Sequence, residues 1–359
     1  MVILDAQRLR CTAIIQLTDP ARGLDTLCRH YEEHARKVAW SSESGRIELS
    51  FGTADIVSRE GALHIEARAQ DLASLAYVRL SMAHHMELLG EAAPPELAWE
   101  GDGCDGGPLP FFRALRVVGA RTLSPHMRRL TLEGQDIARF AKGGLHVRLV
   151  IPPRGVSAPI WPVMGKNGLP SFPQGPERPE LRTYTVRRID VAAGLIDVDF
   201  VVHAGDSVGS DFALRAEPGD PVGIMGPGGG DLAPADWYLL AGDETALPAI
   251  ARMLEEMPPD AEGQVIVEIE GAEDELPLER PEGMRIRWLH RGGGTSLEEA
   301  VRAVGLPRDR RAFIWSGAEF DTFKALRRYC RDELKMGKDQ HLVAAYWRRG
   351  LKEGEKRAG

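Results

Sequence analysis

Residues 181–188 read LRTYTVRR. In an extended strand, side chains alternate between faces. Arg182, Tyr184 and Val186 then point one way, and Thr183, Thr185 and Arg187 the other. One face carries a cation and an aromatic ring; the other carries hydroxyls and a second cation. That chemistry suits a flat, phosphate-bearing molecule. A guanidinium fork donates paired, charge-assisted hydrogen bonds to phosphate, and a large ring buries area at little entropic cost. Taken alone, the octapeptide fits equally an edge strand with exposed arginines.

Three further stretches carry residues of the same kind. VVHAGDSVGSDFA (201–213) sets His203 at a strand end, then Ser207, Val208, Gly209 and Ser210 at the opening of a short helix. Free N–H groups at a helix start bind phosphate, and small residues let the backbone approach. AGDETALPAI (241–250) follows a strand, and WSGAE (315–319) ends another. Ligands of α/β sheets bind in the crevice at such carboxyl ends. Two glycine-rich runs, MGPGGG (225–230) and HRGGGTS (290–296), lack the Lys-Ser/Thr of a phosphate-binding P-loop and read as turns, with Thr295 or Ser296 capping the next helix. Arg291 stands near a strand end, as a dinucleotide-phosphate contact or as a solvated surface arginine.

The elements that must position these residues fall into three blocks. Residues 1–92 read as a small α+β domain: CTAIIQL, RIELSF and ALHIEA are strand-like. PARGLDTLCRHYEEHA is helical, and so is DLASLAYVRLSMAHHMELLG. In the second helix Asp71 is the N-cap, Leu72, Leu75, Met82, Met86 and Leu89 the stripe, and Gly90 the end. Residues 93–110, rich in Pro, Gly and acidic residues, read as a linker. Residues 111–235 hold about six short strands and one short helix, the pattern of a six-stranded antiparallel β-barrel. Residues 236–352 alternate strands and helices, which implies an α/β parallel-sheet domain covered on both faces. Residues 353–359 are a tail.

Composition bounds the function. The 359 residues are 43% hydrophobic and 27% charged, with a formal net charge of −8 and a pI near 5.8. An acidic chain argues against a general nucleic-acid binder. No apolar run reaches the roughly 18 residues of a membrane span, and the start MVILDAQRLR does not read as a signal peptide. Cys11, Cys28, Cys104 and Cys330 are far apart and form no C-x-x-C pair. Free thiols in a reducing cytoplasm are the expectation.

RTYTVRR, DFVVH, GDETALPAI and AYWRRG, in that order, resemble the siderophore-interacting proteins, a family of ferredoxin-reductase-like flavoenzymes that reduce ferric siderophores. The resemblance covers about residues 111–352. It implies FAD on the barrel, a donor such as NAD(P)H or ferredoxin at the α/β domain, and a ferric siderophore beside the flavin. Arg182 would neutralise the FAD pyrophosphate, Tyr184 would lie against the isoalloxazine, and Thr185 would face its hydride-accepting edge, with Val186 next in the strand. His203, Ser207, Gly209 and Ser210 would surround the phosphates, and Thr245 would touch the flavin from the α/β side. Ser207 and Val208 replace the family's usual glycine and proline, and Phe212 a common tryptophan. Arg148 in HVRLV and Arg348 or Arg349 in YWRRG match basic residues around the siderophore; the loop 226–230 lacks a cation often found there.

Electron transfer of this kind requires no catalytic acid/base pair and no resident metal. Two other readings use the same fold: a general NAD(P)H:flavin or quinone oxidoreductase, and a non-enzymatic siderophore-binding scaffold. A monomer, without membrane or nucleic-acid partners, is expected. The first domain resembles a small bacterial family of unknown function found with siderophore-interacting proteins. Its His34, His84 and His85 could be offered as iron ligands, but adjacent helical side chains diverge by about 100°, so His84 and His85 cannot both face one point; surface or capping histidines are the simpler reading.

Overall fold

The computed structural model describes residues 9–32, 35–89, 97–203, 207–230 and 232–351. His34, residues 90–96 and the tail 353–359 lie outside the described residues. The chain divides into two units: Met1–Phe112 with Ile160–Arg178, and Arg113–Pro159 with Pro179–Gly359.

The first unit is built on β1 (Leu9–Gln16), α1 (Pro20–Tyr31), β2 (Lys37–Trp40), β3 (Ser44–Glu48), β4 (Thr53–Arg59), β5 (Ala62–Ala69), α2 (Leu72–His84) and β6 (Trp99–Gly101). The strands form one antiparallel sheet in the order β2-β3-β4-β5-β1-β6. Alternation in β1 and β4 sends Ile15, Ala54 and Ile56 inward, onto Leu24, Leu27 and Tyr31 of α1. Asp19 caps α1 through Arg22 N, and Asp71 caps α2 through the N–H groups of Ala73 and Ser74. Leu72, expected in the buried stripe, is 47% exposed because it is the first helical residue. The linker reading of 93–110 is corrected at its centre. Trp99 is 4% exposed and β6 pairs with β1, so these residues complete the sheet. His84 Nδ1 and His85 Nδ1 bond to the carbonyls of Leu80 and Ser81 in the preceding turn.

In the second unit β7 (Phe112–Ser124), β8 (Met127–Glu133) and β9 (His146–Ile151) open the barrel. Residues Ile160–Arg178 then leave it to join the first unit, with the two-residue strands β10 (Val163–Met164) and β11 (Pro170–Ser171) paired as a hairpin. Their short, Pro- and Gly-rich sequence gives no periodic pattern that would separate them from the barrel strands on either side. The barrel resumes with β12 (Glu180–Thr185), β13 (Arg188–Asp190), β14 (Leu195–Val201), α3 (Val208–Arg215) and β15 (Pro221–Gly228). The sheet order is β12-β9-β15-β7-β8-β14-β13, six main strands and a three-residue extension. Closure brings Tyr184 of β12 against Phe200 of β14, ring centroids 4.3 Å apart. Leu130, Val147, Leu149, Val198 and Ile224 fill the interior.

The parallel sheet follows: β16 (Trp237–Asp243), α4 (Leu247–Glu256), β17 (Gly263–Ile269), β18 (Met284–His290), α5 (Leu297–Arg302), β19 (Ala312–Glu319), α6 (Phe320–Arg328) and β20 (His341–Trp347). The order is β18-β17-β16-β19-β20. Central β16 is buried along its whole length, as a strand covered on both faces must be. One core joins the sheet to α4, and the other joins it to α5 and α6. Ser296 caps α5 in a reciprocal capping box with Glu299. The strand order reverses between β16 and β19, and this switch point is where an α/β sheet offers a crevice.

Candidate active site at the sheet's carboxyl edge

A cleft of about 410 Å³ opens at that edge. The ends of β16, β17 and β19 supply Asp243, Glu268 and Glu319, with Trp347 and Arg349 after them. The barrel supplies His126 from the β7–β8 turn and His203 from the end of β14. The lining holds six carboxylates (Asp243, Glu244, Glu268, Glu270, Asp274, Glu319) against two guanidiniums, Arg291 and Arg349.

Asp243 organises the floor. It is 2% exposed, and its Oδ1 accepts from Thr245 N at 2.9 Å and Thr245 Oγ1 at 2.5 Å. Its Oδ2 accepts from Trp347 Nε1 at 2.8 Å and Glu319 N at 3.2 Å. One carboxylate therefore ties the ends of β16, β19 and β20 together. Burial pushes its pKa up to about 6, against hydrogen bonds that favour the charge. The same bonds commit the Thr245 N–H and O–H to Asp243, leaving that hydroxyl only its acceptor capacity.

On the barrel side Asp274 accepts from Ser124 Oγ at 2.7 Å and pairs with His126 Nδ1 at 2.8 Å. The hydrogen bond to Asp274 raises the His126 pKa above its ordinary value. Arg291 is no loose surface arginine. It forms a fork with Glu244 at 2.7 and 2.6 Å and lies 3.6 Å from Glu268 and 3.5 Å from Glu270.

Barrel and sheet also meet through a chain of side chains. Thr185 Oγ1 lies 3.3 Å from His146 Nδ1, and His146 Nε2 lies 2.8 Å from the Tyr346 hydroxyl. Burial, then the Arg252 charge, lowers the His146 pKa to about 4, so the ring is neutral. Both rings rest on glycines. Gly229, at φ +83°, has its Cα against the imidazole, where a Cβ would collide, and a Cβ on Gly317 would come 2.7 Å from the Tyr346 ring. These positions require glycine and account for part of the run 225–230.

The expected cofactor residues divide by position. Arg182 bonds Glu180 Oε2 at 3.0 Å and the Leu181 carbonyl at 2.7 Å. Tyr184 stands beside the amino end of α3: a Cβ on Gly209 would collide with its hydroxyl. Ser210 Oγ accepts from His203 N at 3.1 Å and donates to His203 O at 3.2 Å, fixing the strand end to the helix start. Ser207 is the N-cap without a side-chain cap bond. Val186 is fully buried in the barrel core; its N–H bonds Leu145 O and its carbonyl accepts from Arg252 Nη1 at 3.0 Å. Arg187 forks onto Glu255 of α4 at 2.8 and 2.5 Å. The end of LRTYTVRR thus holds barrel to sheet. Among the basic residues expected near substrate, Arg349 lines the cleft, Arg348 sits 4.3 Å over the Phe320 ring, and Arg148 is exposed on β9 outside the cleft lining.

These residues fit a flavin dinucleotide. The Tyr184 ring adjoins the helix start, Arg182 stands two residues earlier on the same strand face, and the backbone at Gly209 is bare where a bulkier residue would push Tyr184 away. His146, Tyr346 and Asp243 escaped the sequence reading. HVRLV points to Arg148 and GDET to Thr245; the one local signal is a carboxylate at a strand end.

Two family models match the second unit in order: a siderophore-interacting FAD-binding domain over residues 116–231 and a siderophore-interacting protein over 235–350. A third, described as an uncharacterized protein conserved in bacteria, matches 12–100. A ferric vibriobactin reductase of Vibrio cholerae is 32% identical over 251 residues, 68% of this chain and 92% of that protein. An NADPH-dependent ferric-chelate reductase of Escherichia coli is 32% identical over 246 residues, 66% and 92%. The crystal structure of a siderophore utilization protein from T. fusca superposes with a TM-score of 0.60 at 38% identity, covering 67% of this chain and 94% of that one. With both domains matched in order and relatives covered almost end to end, the chain belongs to the siderophore-interacting protein family and carries its FAD-binding domain.

Proposed function

We propose that the chain is an FAD-dependent ferric-siderophore reductase supplied by a reduced nicotinamide dinucleotide. The observation that carries the reading is the cleft at the switch point, walled by the barrel on one side and by strand ends on the other. Bound FAD supplies a two-electron acceptor able to give electrons singly to ferric iron. The chain's own residues bind and orient. Arg182 and the start of α3 would meet the pyrophosphate, Tyr184 would pack against the ring system, and Thr185, tethered to neutral His146, would be held in one rotamer. Thr245 is held by Asp243 at the opposite wall. Arg349 in the cleft lining, with Arg348 and Arg148 outside it, are the cations proposed to meet a siderophore.

One dinucleotide gives up two electrons and so reduces two ferric complexes. Ferrous iron is a weaker partner for hard oxygen ligands, and the metal leaves. Cytoplasm is the proposed setting; no helix among the described residues is long and apolar enough to cross a membrane.

The test is anaerobic. NADH or NADPH should bleach the bound-flavin absorbance, and a ferric siderophore should restore it. Failure to restore it would refute the reductase reading. Recovery with free flavin or quinone, but not with ferric chelates, would favour the general oxidoreductase.

A further inference from the structure

A half-buried fork in the cleft, Arg291 on Glu244, bears on which donor it takes. Adenosine dinucleotides come in two forms that differ by a phosphate on the ribose 2′-oxygen. An arginine near the strand ends accommodates that phosphate, whereas a carboxylate at the end of the second strand accepts from the free 2′-hydroxyl. Here both kinds of residue are present, and their geometry decides between them.

Arg291 follows β18, and its two terminal nitrogens are engaged by Glu244 at 2.7 and 2.6 Å. Glu268, one residue before the end of β17, lies 3.6 Å from its Nε, and Glu270, just past that end, 3.5 Å from Nη1. Three carboxylates against one guanidinium leave this corner with a net charge of −2. A 2′-phosphate, itself carrying about −1.5 to −2, would have to break the Glu244 fork or enter a negative corner. Like charges brought together at an interface weaken binding strongly. A 2′-hydroxyl has no such conflict: it donates to the carboxylates and leaves the fork intact.

We infer that Glu244, Glu268 and Glu270 neutralise Arg291 and make this cleft select the nicotinamide dinucleotide without a 2′-phosphate, NADH over NADPH. The inference rests on the reading of the cleft as the dinucleotide site. It sets the chain apart from the Escherichia coli relative, whose name specifies NADPH.

The test is direct binding, independent of turnover. Calorimetric titration of the FAD-loaded protein compares ADP-ribose with 2′-phospho-ADP-ribose, fragments that carry no nicotinamide. ADP-ribose should bind at least about tenfold tighter, as expected for like-charge exclusion. Glu268→Gln with Glu270→Gln should shrink that ratio, chiefly by tightening the phosphorylated fragment. Equal or tighter binding of 2′-phospho-ADP-ribose to the unaltered protein would overturn the inference while leaving the dinucleotide site in place. Binding of neither fragment would overturn the dinucleotide site and the inference together.

Discussion

The Tyr346 hydroxyl lies 2.8 Å from His146 Nε2, joining the last strand of the parallel sheet to a barrel strand 200 residues earlier. The two rings meet edge to face, centroids 5.1 Å apart. The imidazole is neutral, so one ring nitrogen donates and the other accepts, Nε2 meeting the phenol and Nδ1 meeting Thr185. Tyr346→Phe leaves Nε2 without its hydrogen-bond partner. The expected loss is about 1 kcal/mol, the usual worth of one hydrogen bond in a protein. Gly317→Ala should cost more, because its Cβ must displace the ring. Denaturant midpoints measure both; an unchanged midpoint for Tyr346→Phe would mean that the contact contributes nothing.

Two groups at the site, buried Asp243 and half-buried His146, titrate in the same window with opposite signs. His146 stays neutral down to about pH 4, while an unfolded histidine takes its proton near its ordinary value of 6.5. Between these values the unfolded chain binds more protons, so this residue makes stability rise with pH. Asp243 keeps its proton up to about pH 6, while an unfolded aspartate loses it near 3.8. There the native state binds more protons, so this residue makes stability fall as pH rises. The wild-type profile from pH 4 to 6 should therefore be flatter than either residue alone would give. His146→Gln should expose a fall in stability over that range, and Asp243→Asn a rise. Urea denaturation at several pH values reads the slopes. Parallel slopes in the two variants would refute the assignment.

The clamp on Val186 and Arg187 gives a third expectation. Arg187 forks onto Glu255, and buried Arg252 bonds the Val186 carbonyl while its Nε reaches Glu256 at 2.8 Å. A double-mutant cycle with Arg187→Ala and Glu255→Ala should give a coupling of about 1 kcal/mol, at the upper end for partly exposed pairs because the fork is bidentate. Arg252→Met removes a charged donor and should destabilise by roughly 1.5–3 kcal/mol. A coupling of zero would show that the fork does not help hold barrel to sheet.

Much of this was legible in the sequence because it is written locally. The alternation of β8 and β9, the apolar run of β16, Asp71 before α2 and Ser296 before α5 need no tertiary information. The family resemblance marked RTYTVRR and GDETALPAI. What was illegible depends on partners far along the chain. Trp99 reads as part of a Gly/Pro-rich linker until β1 offers it an edge. Nothing local marks the clamp by which Arg252 and Glu255 of α4 hold Val186 and Arg187. Arg291 reads as a lone cation until three glutamates from β17 and the β16 turn surround it. Histidine 146 carries no local mark at all; its role comes from Tyr346, Thr185 and the bare backbone at Gly229.

The last expectation concerns FAD retention, where position and charge separate. Gly209→Val adds a side chain where the Tyr184 hydroxyl now lies, so the ring must move. Arg182→Ala keeps the ring in place and removes only the cation, whose present partners are a half-exposed glutamate and a carbonyl of its own strand. Both variants should purify with less flavin. They should differ in salt dependence. The glycine variant loses packing and should lose FAD equally at low and high salt. For Arg182→Ala the lost term is electrostatic and screened by ions, so the deficit against wild type should narrow as salt rises. Flavin absorbance per protein after desalting at two ionic strengths distinguishes them. Full flavin content in Arg182→Ala at low salt would remove Arg182 from the phosphate site.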